Sequence, residues 1–453
     1  LDNGTTTTVT TGSLTLSGLT SNGGSIDLQN NTASDSTTAF DRVDFGNTIS
    51  LNSDLNMNID ANLSNQGIDT ITSADGATIT QTGTSSIVVK SIKVLADATS
   101  ELPMSLTFAT GAIKDYVRLD MTKVDGADAS KSYMVSYLVE GANGNISFGY
   151  GDLYTAVHTT ADQRVYNLGG DENVTRDLGI MEPVKLIVDG TSNGYGIIGN
   201  GHTGIQVNSG NEITIQNVSD VSGFNGDFIT NAGTINLINS NISDTLTNTN
   251  ILNVKSSDGE TLTLNGAIGD ASTPSGTIEI GNTGTETAYT GTVDINAQVT
   301  QKALNINSGS VNISADNIVI TDGVSNKGEL NLEAGTLASA ISGIGTTNIT
   351  GDVISNATIA QSGLEIQSGN KLESNAQITA PVTNYGTLDN NALLSGTFAN
   401  KSGAEASSDA DNLGGLITNE GILNLEGGTL AYAITDASTP SGTTNVTGNV
   451  ISN

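Results

Sequence analysis

The first pattern that could carry chemistry is a glycine-rich stretch, Gly199-Asn-Gly201-His-Thr-Gly204, which matches the GxGxxG spacing of a phosphate-binding loop. Asp220 follows at about the distance expected of an acidic residue that contacts a ribose. A dinucleotide site needs a helix directly after the glycines, because the helix N-terminus faces the pyrophosphate. The residues that follow, IQVNSGNEITI, alternate like a strand. These glycines are therefore interpreted as turn residues, and no cofactor is predicted.

A second pattern, from Asp409 to Glu420, partly matches the calcium-binding loop of an EF-hand. Asp409, Asp411 and Glu420 stand at the first, third and twelfth places of such a loop. Leu413 stands at the fifth place, where an oxygen ligand is required, and no helical sequence flanks the loop. Glu420 also belongs to a recurrent Thr-Asn-x-Gly turn. We predict a turn here and no metal site.

Polysaccharide hydrolysis would need two carboxylates that converge across a cleft. Glu279 and Asp294 are one repeat apart and could stack, but a regular polar ladder explains them more simply. A lyase that acts on acidic polymers would need basic residues, and the only candidates from residue 184 onward are six scattered lysines: Lys185, Lys255, Lys302, Lys327, Lys371 and Lys401. His158 and His202 do not form a ligand set and are expected in surface or turn positions. No catalytic residue is predicted.

The composition narrows the class of protein. The 453 residues include 54 Gly, no Cys and no Trp, and the net charge is −32. Such a charge argues against binding to nucleic acid or to anionic membrane surfaces, which attract basic faces. The absence of cysteine suits a protein that crosses membranes unfolded. The sequence has no apolar run long enough for a membrane helix. Because it also has no initiator Met and no signal peptide, a fragment of a longer protein is expected.

The strands that would position these residues each follow a glycine that recurs along the chain. After each of these glycines the chain alternates apolar, polar and apolar residues, which predicts a strand with one buried face. The glycine itself predicts a turn with positive φ or a close backbone approach. The glycines stand at 233, 276, 291, 309, 328, 345, 386, 421 and 442.

One strand in every 15–21 residues cannot bury its inner face alone, but coils stacked in register about 4.8 Å apart can. This pattern predicts an all-β, right-handed parallel β-solenoid, or β-helix. We expect one inner ladder formed by Ile280, Ile295, Ile313, Leu332, Ile349 and Leu425. We expect an outer ladder formed by Glu279, Asp294, Asn312, Asn331 and Asn424.

The sequence also contains a longer repeat, which spans several strands. The residues SNKGELNLEAGTLASAI (325–341) return as TNEGILNLEGGTLAYAI (418–434), which are 93 residues further on. TTNITGDVISN (346–356) returns as TTNVTGNVISN (443–453). Loops copied together with strands indicate growth by duplication of whole coils.

Three regions follow from composition. Residues 1–85 are predicted to form strand-rich coils or a cap, and residues 184–453 to form the solenoid. Residues 86–183 hold more than half of the Lys and Arg residues and six of the ten Tyr residues. They predict an inserted or N-terminal compact β module, whose aromatics either bind glycans or partners or fill an ordinary core.

The segment VDGTSNGYGIIGNGHTGIQV (188–207), with NEITIQNV (211–218), resembles the opening coils of pectin-lyase-like right-handed β-helices. The [ST]-N-x-G-x-[IL] units that begin at 230, 325, 383 and 418 resemble passenger repeats of Gram-negative autotransporter adhesins and other large repetitive surface proteins. NTGTETAYTGTVDINA (282–297) is similar to the autotransporter-associated β-strand repeat. The resemblance implies an exported protein displayed at the outer membrane surface.

We therefore expect a non-enzymatic extracellular protein that forms a stiff stalk or fibre and presents binding surfaces. Its expected partners are further repeats of the same chain or other copies of it, with host or environmental glycans and proteins as additional candidates. An extracellular carbohydrate-active β-helix enzyme, a lyase or a glycoside hydrolase, stays open as the alternative. An ice-binding solenoid would need regular Thr-x-Thr ladders, and these are sporadic here.

Overall fold

The computed structural model describes residues 1–2, 4–9, 12–96, 106–119, 125–126, 132–137, 146–190, 194–269, 274–435 and 442–452. Strands dominate these residues, and most strand pairs are parallel, which confirms an all-β fold built from parallel sheets. The chain divides into two compact units, Leu1–Asn225 (unit 1) and Gly226–Asn453 (unit 2). This division does not test the boundaries predicted at 85/86 and 183/184, which stay predictions.

Unit 2 is built from parallel sheets. Within a sheet, each inner strand pairs in register with two others, one from an earlier and one from a later part of the chain. Sheet I contains Thr234–Ile238, Ile251–Lys255, Thr277–Ile280, Ala303–Ile306, Val324–Asn326, Ile341–Ser342, Ile359–Ala360 and Ile378–Thr379. Sheet II contains Thr261–Leu264, Thr292–Ile295, Ser310–Ile313, Glu329–Leu332, Thr346–Ile349, Gly363–Ile366, Val382–Asn384, Phe398–Asn400, Ile417–Asn419 and Ile434–Thr435. Sheet III contains Gly335–Leu337, Val353–Ser355, Lys371–Ser374, Thr387–Asn390, Glu405–Ser408, Ile422–Leu425 and Thr443–Val446.

Two smaller groups complete the described strands of unit 2. Sheet IV contains Ile229–Asn231, Leu246–Asn248, Ile268–Gly269, Val299–Gln301 and Ile318–Ile320. A separate pair joins Gly428–Leu430 to Val450–Ser452. Two short 3-10 helices, Ala315–Asn317 and Ala410–Asn412, lie between strands.

The spacing of the strands defines a rung, which is a stretch of chain that gives one strand to each of sheets I, II and III. Three successive rungs run from Ile341 to Asn390. In sheet II, strands from Thr292 onward start 16–19 residues apart, which agrees with the predicted spacing. Each strand shares its backbone hydrogen bonds with the rungs before and after it, so neighbouring rungs depend on one another.

The six predicted inner residues are all buried, with at most 2% of each side chain exposed. Their predicted outer neighbours alternate with them and are half-buried. The prediction of one inner ladder is wrong, because the pairing register puts these residues on different sheets. Ile280 lies on sheet I and Leu425 on sheet III, whereas only four lie on sheet II: Ile295, Ile313, Leu332 and Ile349. Sequence alternation fixes which face a residue takes, but it does not say to which sheet the strand belongs.

The repeated glycines are required mainly by close backbone approach. A Cβ atom added to Gly345 would lie 2.4 Å from the carbonyl oxygen of Gly328, and one added to Gly386 would lie 2.3 Å from that of Asn370. Neither glycine has a positive φ, whereas Gly309 does, at 79°. At most of these corners only glycine lets one rung pack on the next.

Unit 1 also contains parallel sheets. One contains Thr6–Thr8, Ser25–Asp27, Leu55–Asn62, Ile87–Ala96 and Val117–Leu119, with Asp125–Gly126 beside Ile87–Ala96 and Gly67–Ile68 antiparallel to Leu55–Asn62. Another contains Leu19–Asn22, Thr48–Ser53 and Thr78–Gln81. A third parallel set contains Ser13–Thr15, Arg42–Asp44, Thr70–Thr72 and Leu106–Thr110, and a fourth contains Gln163–Asn167, Lys185–Asp189 and Glu212–Gln216. Two sets of short strands are also parallel. One contains Glu172–Asn173, Ile197–Ile198 and Val221–Ser222, and the other contains Gly179–Ile180 and Ile205–Val207.

The predicted β module contains the main antiparallel pairing of unit 1. Ile146–Gly151 pairs with both Leu106–Thr110 and Ser132–Tyr137, and Ser132–Tyr137 pairs in turn with Gln163–Asn167. The module also holds a six-residue α-helix, α1 (Leu153–His158), which the sequence pattern did not predict. Two 3-10 helices of unit 1 are Thr37–Ala39 and Ala112–Tyr116. Within the predicted module, Val117–Leu119 is a strand, and residues 120–124 lie outside the described residues.

Four of the described aromatic side chains of this module lie in its core. Phe108, Tyr133, Phe148 and Tyr166 are each at most 1% exposed, and the rings of Tyr133 and Phe148 lie 6.1 Å apart. This packing favours the ordinary core over the aromatic binding surface that the composition left open.

Candidate functional site

The glycine-rich match is a turn, whereas the EF-hand-like match contains a 3-10 helix and the strand Ile417–Asn419, so the turn predicted there is only partly found. Gly199–Gly204 lies between the strands Ile197–Ile198 and Ile205–Val207, and no helix follows it. In the EF-hand-like segment, Asp411 lies in a 3-10 helix, and its carboxylate accepts a hydrogen bond from the backbone N–H of Thr429, at 2.9 Å. Asp316 does the same for Thr336, at 2.7 Å. These aspartates join one rung to the next.

The acid pair considered for catalysis does not converge. Glu279 lies on sheet I, where its two carboxylate oxygens accept hydrogen bonds from Asn305 and Asn307, at 2.7 and 2.8 Å. Asp294 lies on sheet II and accepts one from Asn312, at 2.6 Å. The expectation that the two acids could stack is wrong, because successive strands along the chain enter different sheets.

The basic residues also lie apart. Four of the six lysines lie within 4 Å of carboxylates that belong to other strands or loops: Lys185 with Glu212, Lys255 with Glu286, Lys302 with Asp322, and Lys401 with Glu420. Lys371 lies between Glu373 and Asp389. His158 ends helix α1 and stacks on Tyr154, and His202 lies in a turn 3.5 Å from Asp177. These contacts tie strands and loops to their neighbours.

The [ST]-N-x-G units have a structural role that sequence reasoning missed. Their asparagines point inward at a corner of the rung, where Asn384 and Asn419 are at most 1% exposed. Asn384 donates to the amide oxygen of Asn400 at 2.9 Å, and Asn400 donates to that of Asn419 at 2.9 Å. The Asn384 oxygen accepts the N–H of Gly386 at 3.1 Å, which explains the Asn-x-Gly spacing. We call this stack the inner amide ladder.

An outer amide ladder lies on sheet II. Asn312 donates to Asp294, Asn331 donates to Asn312, and Asn348 donates to Asn331, at 2.6, 2.7 and 2.8 Å. These groups, of which Asn348 is buried and the others are half-buried, join four successive strands. Amides and a carboxylate occupy the positions where an ice-binding surface would need threonines.

A groove in unit 2 is a candidate for ligand binding. Residues 281–291 form an insertion between a strand of sheet I and a strand of sheet II, where a later rung needs only the three residues 307–309. The insertion bounds an open groove of about 510 Å³. The groove is lined by polar residues and glycine: Glu279, Asn282, Thr283, Gly284, Asn307, Ser308 and Lys327.

Hydrogen bonds brace the insertion from within. The Ser308 hydroxyl accepts from the N–H of Asn282 at 2.8 Å and donates to the carbonyl of Tyr289 at 2.7 Å. Glu286 accepts from Lys255 at 2.7 Å and from the Thr283 hydroxyl at 2.9 Å. The hydrogen bond from Lys255 holds the pKa of Glu286 below its ordinary value. The groove is therefore prearranged.

The chemistry of the groove suits hydrogen bonding to a polar ligand. The exposed Lys327 ammonium has no hydrogen bond or ion pair to any described residue, so it is available to an incoming oxygen. Glu279 is the one carboxylate of the lining, and two amides hold it in place. A single acid does not supply the acid and base pair that glycoside hydrolysis requires.

The module contains a buried polar network with a structural role. Glu172 accepts hydrogen bonds from the backbone N–H of Leu153 at 2.9 Å and from the hydroxyl of Tyr166 at 2.7 Å. Burial raises the pKa of Glu172 and of Tyr166. At the exposed side, Arg176 lies 4.0 Å above the Tyr154 ring and 2.8 Å from Asp152. Together these contacts fix helix α1.

Comparisons with protein-family models, with curated proteins and with solved structures gave no match. The resemblance to autotransporter passengers and pectin-lyase-like β-helices therefore stays a prediction. None of the helices in the described ranges combines the length and apolar character needed to cross a bilayer.

Proposed function

We propose that this chain belongs to an exported bacterial surface protein and forms a stiff β-solenoid stalk or fibre that presents binding surfaces. The observation that supports the proposal is the in-register pairing of successive rungs in unit 2. We propose a right-handed winding, because parallel strands joined by a crossover are right-handed in nearly all proteins. This function is not enzymatic.

The stiffness follows from the way in which rungs are joined. Backbone hydrogen bonds, buried ladders and two amide ladders all connect a rung to its immediate neighbours, so bending would strain many contacts together. At about 4.8 Å per rung, unit 2 would make a rod on the order of 60 Å long. The polar groove beside the 281–291 insertion is the proposed presentation site, with environmental or host glycans and proteins as candidate ligands.

The proposed structural partners are further rungs of the same chain or other copies of it. What supports this is that neighbouring rungs of unit 2 pair in register and bury one another's apolar side chains. Unpaired strand edges with apolar side chains are templates for additional strands. Localisation at the cell surface is part of the same proposal.

Electron microscopy tests the proposal. Negative-stain images of the purified chain should show thin rods, and images of the native cell surface should show longer rods with lateral knobs. Compact globular particles would contradict the stalk. The enzyme alternative is tested separately, by incubating the chain with neutral and acidic polysaccharides and measuring reducing ends and unsaturated products. Release of either product would favour that alternative.

A further inference from the structure

Unit 1 contains a buried group of acidic and amide side chains outside the groove. Asp60 and Asp69 are 0% exposed, Asp41 is 1% exposed and Asn31 is 5% exposed. Asp41 and Asp69 directly precede the paired strands Arg42–Asp44 and Thr70–Thr72, and Asp60 lies within Leu55–Asn62. The fold thus brings three carboxyl groups from residues 41, 60 and 69 into one interior region.

Asp69 holds the two other acids together. One of its carboxylate oxygens accepts the backbone N–H of Asp41 at 2.8 Å, and the other accepts that of Asp60 at 2.6 Å. The N–H of Asp69 donates in turn to the carbonyl oxygen of Asp60 at 3.0 Å. Because both oxygens of Asp69 are engaged, this residue positions its neighbours.

The remaining oxygens are only partly satisfied. Asp60 Oδ2 accepts the N–H of Asn31 at 2.7 Å, and Asp41 Oδ2 accepts the side-chain amide of Asn30 at 2.6 Å. The other oxygens, Oδ1 of Asp41, Oδ1 of Asp60 and Oδ1 of Asn31, are buried and have no hydrogen-bond partner. Three such oxygens in one hydrogen-bonded network need a donor or a cation.

The charge in this network also needs compensation. Asp41, Asp60 and Asp69 place three acids in one buried network, and Lys93, which pairs with Asp60 on the adjacent strand, is exposed. Buried carboxylates are costly unless another group compensates their charge, so the fold gains from any group that neutralises them.

We propose that Asp41, Asp60 and Asn31 bind a calcium ion through their three free Oδ1 atoms. Two carboxylates and an amide oxygen are ligands of the type that calcium takes, and backbone carbonyls or water complete such sites. No group of three or more His, Asp or Glu residues within the described ranges could hold a metal ion. The proposed site has only two carboxylate ligands, because both oxygens of Asp69 are committed to N–H groups and the third ligand is an amide.

The test is calcium titration of the purified, chelator-treated chain by calorimetry and thermal unfolding. We expect one calcium site with a Kd between about 10⁻⁵ and 10⁻³ M. We also expect a rise in Tm with calcium that magnesium does not reproduce. Asp60→Asn should weaken calcium binding by about tenfold or more, because one of two charged ligands is lost. Asp75→Asn, which removes the same charge from an exposed position of unit 1, should bind like the wild type.

Absence of calcium binding by the folded wild-type chain would overturn the assignment, as would unchanged affinity in Asp60→Asn. A stability that depends on pH but not on calcium would show that protons alone neutralise the cluster, and this too would overturn it. If Asp60→Asn does not fold, Asp41→Asn makes the same comparison at the second carboxylate.

Discussion

Residues 346–355 and 443–452 have nearly the same sequence, TTNITGDVIS and TTNVTGNVIS, yet they differ in burial. Ile349 is fully buried, whereas its counterpart Val446 is 61% exposed. The strand of the first copy pairs on both sides, and that of the second pairs on one side within the described chain. A strand of this protein therefore presents an apolar face, and only the next rung buries it.

A second comparison uses the longer repeat, 325–341 and 418–434. The strands of the first copy lie on sheets I, II, III and I in turn. Those of the second copy lie on sheet II, on sheet III, in the separate two-stranded pair and again on sheet II. The repeat of 93 residues is thus out of step with the rung by one sheet. The three sheets have interchangeable interiors, so one sequence can serve on different sheets.

The largest expected effect tests the first comparison directly. Ile349→Asp buries an unpaired carboxylate between two rungs and should lower the free energy of unfolding by more than about 3 kcal/mol. Val446→Asp places the same group at an exposed edge and should change it by less than about 0.5 kcal/mol. Urea denaturation followed by circular dichroism measures both. Similar losses for the two variants would show that burial does not depend on the neighbouring rung.

An intermediate effect separates the two amide ladders. Asn400→Ala leaves Asn384 and Asn419 with unpaired buried groups and should cost about 2–3 kcal/mol. Asn331→Ala breaks the half-buried outer ladder, where water can replace the lost bonds, and should cost at most about 1 kcal/mol. Thermal unfolding of the full chain distinguishes them. A larger loss of stability for Asn331→Ala would show that the outer ladder, and not the inner one, contributes more to the stability of the fold.

The smallest effect concerns the insertion beside the groove. Lys255 lowers the pKa of Glu286, so this pair adds stability above the ordinary glutamate pKa and loses it as the pH falls through the lowered value. Because Glu286 is 37% exposed, the loss should stay below about 1 kcal/mol. Comparing Tm for the wild type and Glu286→Gln between about pH 3 and 6 checks this. If Tm of Glu286→Gln falls with pH as much as that of the wild type, the Lys255–Glu286 pair is not the source of the acid dependence.

Much of the fold could be predicted because alternation is a local property. The burial of Ile313 and Leu332 follows from their place in a period-two pattern after a glycine. The sheet to which each strand belongs could not be predicted, since loop lengths decide how far the chain turns before the next strand. Helix α1 was missed because it has only six residues. The one local signal was Asp152, which accepts the N–H of Thr155 at 3.0 Å as an N-cap.

The candidate sites were less predictable than the fold. Glu279 and Lys327 were noted separately, but nothing in their spacing shows that an insertion brings them to one groove. Asn31, Asp41 and Asp60 match no known metal-binding spacing, and only hydrogen bonds in the folded chain join them, directly or through Asp69. The Asn-x-Gly unit was visible as a repeat, yet an asparagine in a polar stretch gives no sign that it points inward.

The two amide ladders also give the stack a direction. In the inner ladder Asn384 donates to Asn400 and Asn400 to Asn419, from earlier to later residues. In the outer ladder Asn331 donates to Asn312, from later to earlier. One face of a rung therefore presents the amide donors of the inner ladder, and the opposite face presents those of the outer ladder. Because every strand pair of sheets I, II and III is parallel, a further rung that continues these sheets would stack with the same polarity.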